Sequence, residues 1–144
     1  MQRAYELAQL AEANDEVPVG AVIVLNDQII GEGWNQPISS NDPTAHAEII
    51  ALRNAAKQIN NYRLVDATVY VTLEPCAMCA GAIVHARLAK LVYAIADPKT
   101  GACGSVFNLL DVDELNHKVE IDKGIMEDEC RLLIQGFFKQ KRIK

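Results

Sequence analysis

The sequence contains no long hydrophobic run, and this absence argues against a membrane-spanning protein. No apolar stretch approaches the roughly 18–20 residues that a membrane-spanning helix requires. Residues 1–15 also lack the basic segment and the apolar core of a secretory signal peptide. We therefore expect a cytoplasmic protein.

Cysteine is scarce, which argues against a disulfide framework. The chain has four cysteines, Cys76, Cys79, Cys103 and Cys130, and thiols stay reduced in the cytoplasm. Cys76 and Cys79 form a C-x-x-C pair, a spacing typical of metal or redox sites. A second C-x-x-C pair, which would complete a four-cysteine zinc site, is absent.

The chain has no internal repeat, low-complexity tract or linker. Its 144 residues are 50% hydrophobic and 23% charged, as in an ordinary globular protein. This length is within the usual range for one domain, so we expect residues 1–144 to form a single domain.

Positive charge is in deficit, with a formal net charge of −5. The exception is the segment 131–144, which has no acidic residue and contains Arg131, Lys139, Lys141, Arg142 and Lys144. These bases would complement the dipole of a C-terminal helix that begins with Glu127, Asp128 and Glu129. The helix dipole accounts for one or two of these bases, so contact with nucleic acid is a second explanation for the others.

Hydrophobic patterning predicts alternating helices and strands. Residues 4–13 are helical, and residues 20–34 form a hairpin around Asn26 and Asp27. A second helix starts with Asp42 as the cap and Pro43 as its first residue. Its apolar face carries Ile49, Leu52, Ala56 and Ile59.

The second half of the chain begins with a β-α-β unit. Strands at 67–73 and 90–96 flank a helix at 77–88, so the two strands should be parallel with a right-handed crossover. A loop at 97–105, a short helix near 109–115, a strand near 118–122 and a final helix follow. The final helix should bury Met126, Cys130, Leu133 and Phe137. The expected class is α/β, a three-layer α/β/α sandwich around a mixed five-stranded sheet.

His46, Cys76 and Cys79 have the chemistry of three zinc ligands. Cys76 and Cys79 lie on one side of a helix's first turn, where the helix dipole favours thiolates. Three protein ligands leave a fourth tetrahedral position for water, as in catalytic zinc sites. Glu48, near the start of the helix that carries His46, would face that water.

Two other interpretations of these residues remain open. The C-x-x-C pair could be a redox pair, or Cys103 could complete a structural zinc site with four protein ligands. The second alternative leaves Glu48 unexplained. Cys130 lies on the apolar face of the last helix and is expected in the core.

The motif HAE at 46–48, followed by PCAMC at 75–79, resembles the H-x-E…P-C-x-x-C signature of zinc-dependent nucleobase deaminases. A wider resemblance, over nearly the whole chain, is to the bacterial tRNA-specific adenosine deaminases. It is carried by EVPVGAVIV, GWN, DPTAHAEIIALR, NYRL, VTLEPCAMCAGAI and DPKTGACGS.

This resemblance implies a homodimer of the cytidine-deaminase fold with one zinc ion per subunit. The implied reaction converts adenosine to inosine at the wobble position of an arginine tRNA anticodon. It also implies roles for Glu48 as proton carrier, for Asn35 and the Ala47 N–H as purine contacts, and for Val19 as an apolar wall.

Contacts with the RNA are expected at eight positions: Arg63, Asp97, Lys99, Asn116, His117, Lys139, Lys141 and Arg142. Asp97 could accept a hydrogen bond from a ribose 2′-OH, or it could cap the turn before Pro98. His117 could border the RNA or stabilise its own loop.

Two rival functions are consistent with the same residues. A free-base deaminase acting on guanine or cytosine would use the same zinc ligands and glutamate, but it has no need of the basic C-terminal segment. A zinc-stabilised RNA-binding module would make Glu48 dispensable and would use Cys103 as a ligand.

Overall fold

The computed structural model describes residues 1–143, which form four helices around one five-stranded sheet. The helices are α1 (Gln2–Ala13), α2 (Ala47–Ile59), α3 (Ala77–His85) and α4 (Glu127–Ile143). The strands are β1 (Gly20–Leu25), β2 (Gln28–Trp34), β3 (Thr68–Leu73), β4 (Lys90–Ile95) and β5 (Glu120–Lys123). Their order in the sheet is β2-β1-β3-β4-β5.

The sheet is mixed, as the sequence predicts. The hairpin β1–β2 turns at Asn26 and Asp27, whose φ angles of 52° and 62° suit the tight turns of two-residue hairpins. β1 runs antiparallel to both β2 and β3, whereas β3, β4 and β5 are parallel. Because β3 and β4 end side by side, α3 and the segment after β4 start at the same edge of the sheet.

Helices cover both faces of the sheet, which confirms the three-layer architecture. The larger core cluster joins Ile23 and Val71 of the sheet to Ala51 of α2 and Ile83 of α3. A smaller cluster on the other face joins Ala94 and Ile95 of β4 to Cys130 of α4, with Tyr5 of α1 packed against them. No helix within residues 1–143 is long and apolar enough to cross a membrane.

Close packing fixes the start of α2 against β2. A Cβ atom built on Gly33 would overlap the carbonyl oxygen of Ala47 and crowd the amide of Ala51. Only glycine allows this approach of helix to strand. The first turn of α2, which carries Glu48, is therefore held against the sheet.

The predicted start of α2 at Asp42 and Pro43 is wrong. The Asp42 carboxylate accepts hydrogen bonds from the Thr44 amide at 2.8 Å and the Thr44 hydroxyl at 2.7 Å. These local bonds make a turn of the segment, and the helix begins at Ala47 after the extended residue His46.

The short helix predicted near 109–115 is also absent, and that segment consists of turns. The Leu109 amide donates to the Ala102 carbonyl at 2.8 Å, and the Leu110 carbonyl accepts from Val119 at 3.2 Å. Backbone groups that a helix would pair internally are paired with distant segments. The predicted strand near 118–122 corresponds to β5.

Candidate active site

The first turns of α2 and α3 bring His46, Cys76 and Cys79 together. His46 caps α2, Cys76 caps α3, and Cys79 lies in the first turn of α3. The His46 Nδ1 lies 3.6 Å from the Cys76 Sγ and 3.5 Å from the Cys79 Sγ, and the three ligand atoms lie within 4.8 Å of one another. Tetrahedral zinc with ordinary Zn–N and Zn–S bonds would place such atoms about 3.5 Å apart, so this group can hold zinc.

The two thiols have opposite shifts in acidity. A hydrogen bond from Cys79, followed by one from His46, lowers the pKa of Cys76 to about 4. The same contact with Cys76, together with burial, raises the pKa of Cys79. Metal binding requires both thiols as thiolates, so zinc bound here would displace the thiol protons.

Glu48 lies in the first turn of α2 and is 4% exposed. Burial is the main cause that raises the pKa of its carboxyl group to about 7. Glu48 does not belong to the group of potential metal ligands formed by His46, Cys76 and Cys79. A buried carboxyl group with this acidity can both take and return a proton near neutral pH.

Asn35 and Ala47 are in direct contact. The Ala47 amide donates a 2.8 Å hydrogen bond to the Asn35 Oδ1, which fixes the Asn35 side chain at the start of α2. The backbone N–H of Asn35 donates a hydrogen bond to the Val19 carbonyl at 3.1 Å. Val19 is 4% exposed and belongs to the core cluster, so its side chain offers little surface for a substrate wall.

The other two cysteines lie outside the ligand group. Cys103 is buried, its Sγ is 3.9 Å from the Pro75 carbonyl oxygen, and burial raises its pKa to about 12. Cys130 lies in the smaller core cluster. Within the part of the chain that the structure describes, the only group of three potential metal ligands is His46, Cys76 and Cys79.

Three basic residues among the predicted RNA contacts line one groove. Lys99, Lys139 and Arg142 surround a cavity of roughly 740 Å³ that also has Phe138 in its wall. A second cavity of roughly 750 Å³ shares Lys99 and Phe138 and extends past Asp97. We call these two cavities together the α4 groove.

Other basic residues of α4 are engaged within the protein. The Arg131 guanidinium pairs with Glu127 at 2.6 Å and Asp128 at 3.6 Å, and the Lys141 ammonium pairs with Asp15 at 2.5 Å. Lys144 lies outside the described residues. Among residues 131–143, Arg131 and Lys141 are therefore paired with carboxylates, whereas Lys139 and Arg142 line the α4 groove.

The remaining predicted RNA contacts have structural partners or lie elsewhere. The Asp97 carboxylate accepts from the Lys99 and Thr100 amides at 3.0 and 3.2 Å, which is the geometry of a turn cap. The His117 Nε2 is 2.6 Å from the Leu88 carbonyl oxygen, which ties its loop to the sheet layer. Asn116 is an exposed neighbour of His117. Arg63 is exposed and stacks on Tyr62 at 5.6 Å, away from the α4 groove.

Sequence reasoning assigned no role to two buried carboxylates, Glu16 and Glu74, which are 1% and 2% exposed. Glu16 accepts from the Ile38 and Ser39 amides at 3.2 and 2.6 Å. Glu74 accepts from the segment that follows β4. The only sequence signal for Glu74 is an acidic residue that directly follows the apolar run of a buried strand.

Comparisons with known proteins identify related deaminases. Residues 1–142 match the MafB19-like deaminase family. The chain is 55% identical over 143 residues to the tRNA-specific adenosine deaminase of Haemophilus influenzae. This match covers 99% of this chain and 83% of that relative.

Solved structures show the same resemblance. One, from studies of A-to-I editing by tRNA:A34 deaminases at the wobble position of transfer RNA, has a TM-score of 0.89 at 41% identity and covers 92% of this chain and 96% of that one. The guanine deaminase of Bacillus subtilis has a TM-score of 0.64 at 37% identity, and the match covers 77% of this chain and 82% of that one.

Proposed function

Because this chain belongs to the tRNA-specific adenosine deaminases, we propose that it hydrolyses adenosine to inosine at the wobble position of a tRNA anticodon. The observation that carries this proposal is the buried Glu48 carboxyl group beside the His46, Cys76 and Cys79 cluster. An arginine tRNA is the expected substrate.

The proposed cofactor is one zinc ion per chain, held by His46, Cys76 and Cys79. Their contact distances and their N/S donor chemistry support this assignment. Zinc bound at such a site supplies a water molecule whose pKa is brought to about 7.

Glu48 is proposed as the proton carrier of the reaction. It accepts a proton from the attacking water as the water oxygen bonds to C6 of adenine, and it delivers that proton to N1. It then passes a second proton from the new hydroxyl group to the amino group, so that the C6–N bond breaks and ammonia leaves. Its raised pKa suits a group that serves both as base and as acid.

Asn35 is proposed to hold the purine through its side-chain N–H groups, while the Ala47 amide beside it holds the Asn35 Oδ1 in place. Their mutual hydrogen bond places both groups at the start of α2, one residue from Glu48. Val19 would contribute through its backbone bond to Asn35 rather than through its buried side chain.

The target base must leave the anticodon stack to reach this site, and single-stranded loops allow this at the lowest cost. Lys99, Lys139 and Arg142 are proposed to contact phosphates along the α4 groove. A tRNA substrate and reduced cysteines fit a cytoplasmic location. The single sheet supports our interpretation of residues 1–144 as one domain.

The protein is proposed to act as a homodimer through the outer face of α2 and α3. A cavity on that face is lined by apolar side chains that include Ile49, Leu52 and Ala82. Tyr62 beside them is 73% exposed. Exposed apolar surface of this kind is typical of contact with another protein.

A free-base deaminase is the second candidate, favoured by the similarity to a guanine deaminase. One assay separates the two. It measures inosine formed from an anticodon stem-loop and from free adenosine, xanthine formed from guanine, and uracil formed from cytosine. We expect turnover of the stem-loop at least 100-fold above every free compound. Faster turnover of guanine or cytosine would contradict the proposed function.

A further inference from the structure

Glu74 follows β3 and is separated from the ligand Cys76 by a single residue, Pro75. Its carboxylate accepts hydrogen bonds from the backbone amides of Asp97 at 3.0 Å, Cys103 at 3.0 Å and Ser105 at 3.1 Å. It also accepts a hydrogen bond from the Ser105 hydroxyl. All four donors belong to the segment 97–105, which we call the 97–105 loop.

The charge of Glu74 is compensated by this loop. Across residues 1–143, no basic side chain forms an ion pair with Glu74, although Glu74 is only 2% exposed. A buried carboxylate is costly unless hydrogen bonds satisfy it, and bonds to a charged acceptor are about twice as strong as neutral ones. The loop must therefore keep one shape to keep the carboxylate satisfied.

The loop is also packed directly on the segment that leads to the metal ligands. A Cβ atom built on Gly101 would overlap the Glu74 carboxyl group, so the loop passes over Glu74 at backbone contact. The Ala102 amide donates to the Pro75 carbonyl at 2.9 Å. The loop and the start of α3 are therefore joined immediately before Cys76.

The other side of the loop borders the α4 groove. Asp97, Lys99 and Thr100 line this groove together with Phe138 and Ile134 of α4. One carboxylate thus connects the segment before a metal ligand to the wall along which the RNA is proposed to lie.

We propose that Glu74 is a positioning residue, whose carboxylate shapes the 97–105 loop into the wall that aligns the target adenosine with Glu48 and the metal group. This inference rests on the proposed function. Glu74 acts through the loop and does not touch the substrate. A shift of about 1 Å in a substrate-positioning element can cost on the order of 100-fold in rate.

The test compares wild type, Glu74→Gln and Glu74→Asp on an anticodon stem-loop. Glutamine keeps the length of the side chain but replaces one acceptor oxygen with a donor, which then faces the loop amides. We expect Glu74→Gln to keep one zinc per chain and to lose about 10- to 100-fold in kcat at 25 °C. Glu74→Asp keeps the charge and should recover part of that loss.

Two readouts separate positioning from simple stabilisation. A stabilising role predicts a lower Tm with kcat at 25 °C equal to wild type, and this result would overturn the inference. Loss of zinc from Glu74→Gln would also overturn it, because Glu74 would then support the metal site instead. Hydrogen exchange at Asp97, Cys103 and Ser105 should accelerate in Glu74→Gln, and unchanged exchange would likewise count against the loop.

Ser105→Ala tests the same inference if Glu74→Gln does not fold. It removes the hydroxyl of the exposed Ser105, which donates to the Glu74 carboxylate, and leaves that carboxylate in place. We expect a three- to tenfold loss in kcat with full zinc content, on the order expected for one lost hydrogen bond. A wild-type kcat in Ser105→Ala would argue against the inference. An inactive wild type would contradict the proposed function itself, which distinguishes that failure from this one.

Discussion

At the residue scale, the group of potential metal ligands depends on two helix starts that face each other. His46 and Cys76 are both extended residues that directly precede a helix, so their side chains project from the helix ends. Cys79 joins them from the first turn of α3. The positive end of a helix dipole favours a thiolate at this place.

Metal content of single alanine variants tests this assignment. We expect His46→Ala, Cys76→Ala and Cys79→Ala to lose zinc, because each removes one of three ligands. Cys103→Ala and Cys130→Ala are the matched controls, since both thiols are buried away from the ligand group, and they should retain one zinc per chain. Loss of zinc in Cys103→Ala would indicate a structural site with four protein ligands.

The sequence predicts the group formed by His46, Cys76 and Cys79, but it does not predict the role of Glu74 beside that group. A C-x-x-C in a helix's first turn, with a histidine and a glutamate at another helix start, has few other chemical explanations. Glu74 could not be assigned a role, because its donors Asp97, Cys103 and Ser105 are 23 to 31 positions away. Only the folded chain shows that they converge.

At the scale of elements, α2 is positioned by its contact with β2 at Gly33. Gly33→Ala should lower the free energy of unfolding by about 1–3 kcal/mol, because the new methyl group overlaps the Ala47 backbone and pushes the helix outward. Denaturant unfolding measures this change.

Gly136→Ala is the matched control for that substitution. Gly136 lies within α4, and a Cβ atom there would meet no atom within 4 Å. Removing a helical glycine at an open position should stabilise the protein by about 0.5–1 kcal/mol. Equal effects of the two substitutions would contradict close packing at Gly33.

The basic residues of α4 divide into two sets. Lys139 and Arg142 line the α4 groove, so replacing both with glutamine should weaken stem-loop binding. It should also flatten the salt dependence of log Kd by about 0.7–0.9 per lost phosphate contact. Titrations at two salt concentrations measure both effects, and kcat at saturating RNA should stay near wild type.

Lys141→Gln is the control for this pair, because the Lys141 ammonium is bound to Asp15. It should cost about 0–1 kcal/mol of stability, as exposed ion pairs do, and leave the salt slope unchanged. Equal slopes for wild type and the double variant would show that the RNA lies elsewhere, with Arg63 as the next candidate.

Helix boundaries were the least predictable feature at this scale. Asp42 and Pro43 have the residue types of a helix start, yet the Asp42 carboxylate binds Thr44 and forms a turn. The segment 109–115 has apolar residues at helical spacing, but its backbone bonds go to Ala102 and Val119. Sequence patterns cannot reveal such distant partners.

At the scale of the whole molecule, the exposed apolar face of α2 and α3 predicts association. Tyr62→Glu should shift the protein from dimer to monomer in sedimentation equilibrium, because burying a charge in an interface is costly. Leu132→Glu is the matched control: Leu132 is 70% exposed on α4, and this variant should remain dimeric. A monomeric wild type, or dissociation of both variants, would contradict the proposed interface.

The central claim is that Glu48 moves the protons of a deamination while His46, Cys76 and Cys79 hold the metal. The most direct measurement is inosine formation by Glu48→Ala in an anticodon stem-loop, made together with zinc analysis of the same sample. We predict full zinc content and a loss of about 10²–10⁴-fold in kcat, the usual contribution of general acid–base catalysis. A variant that retains its zinc and most of its activity would contradict this account.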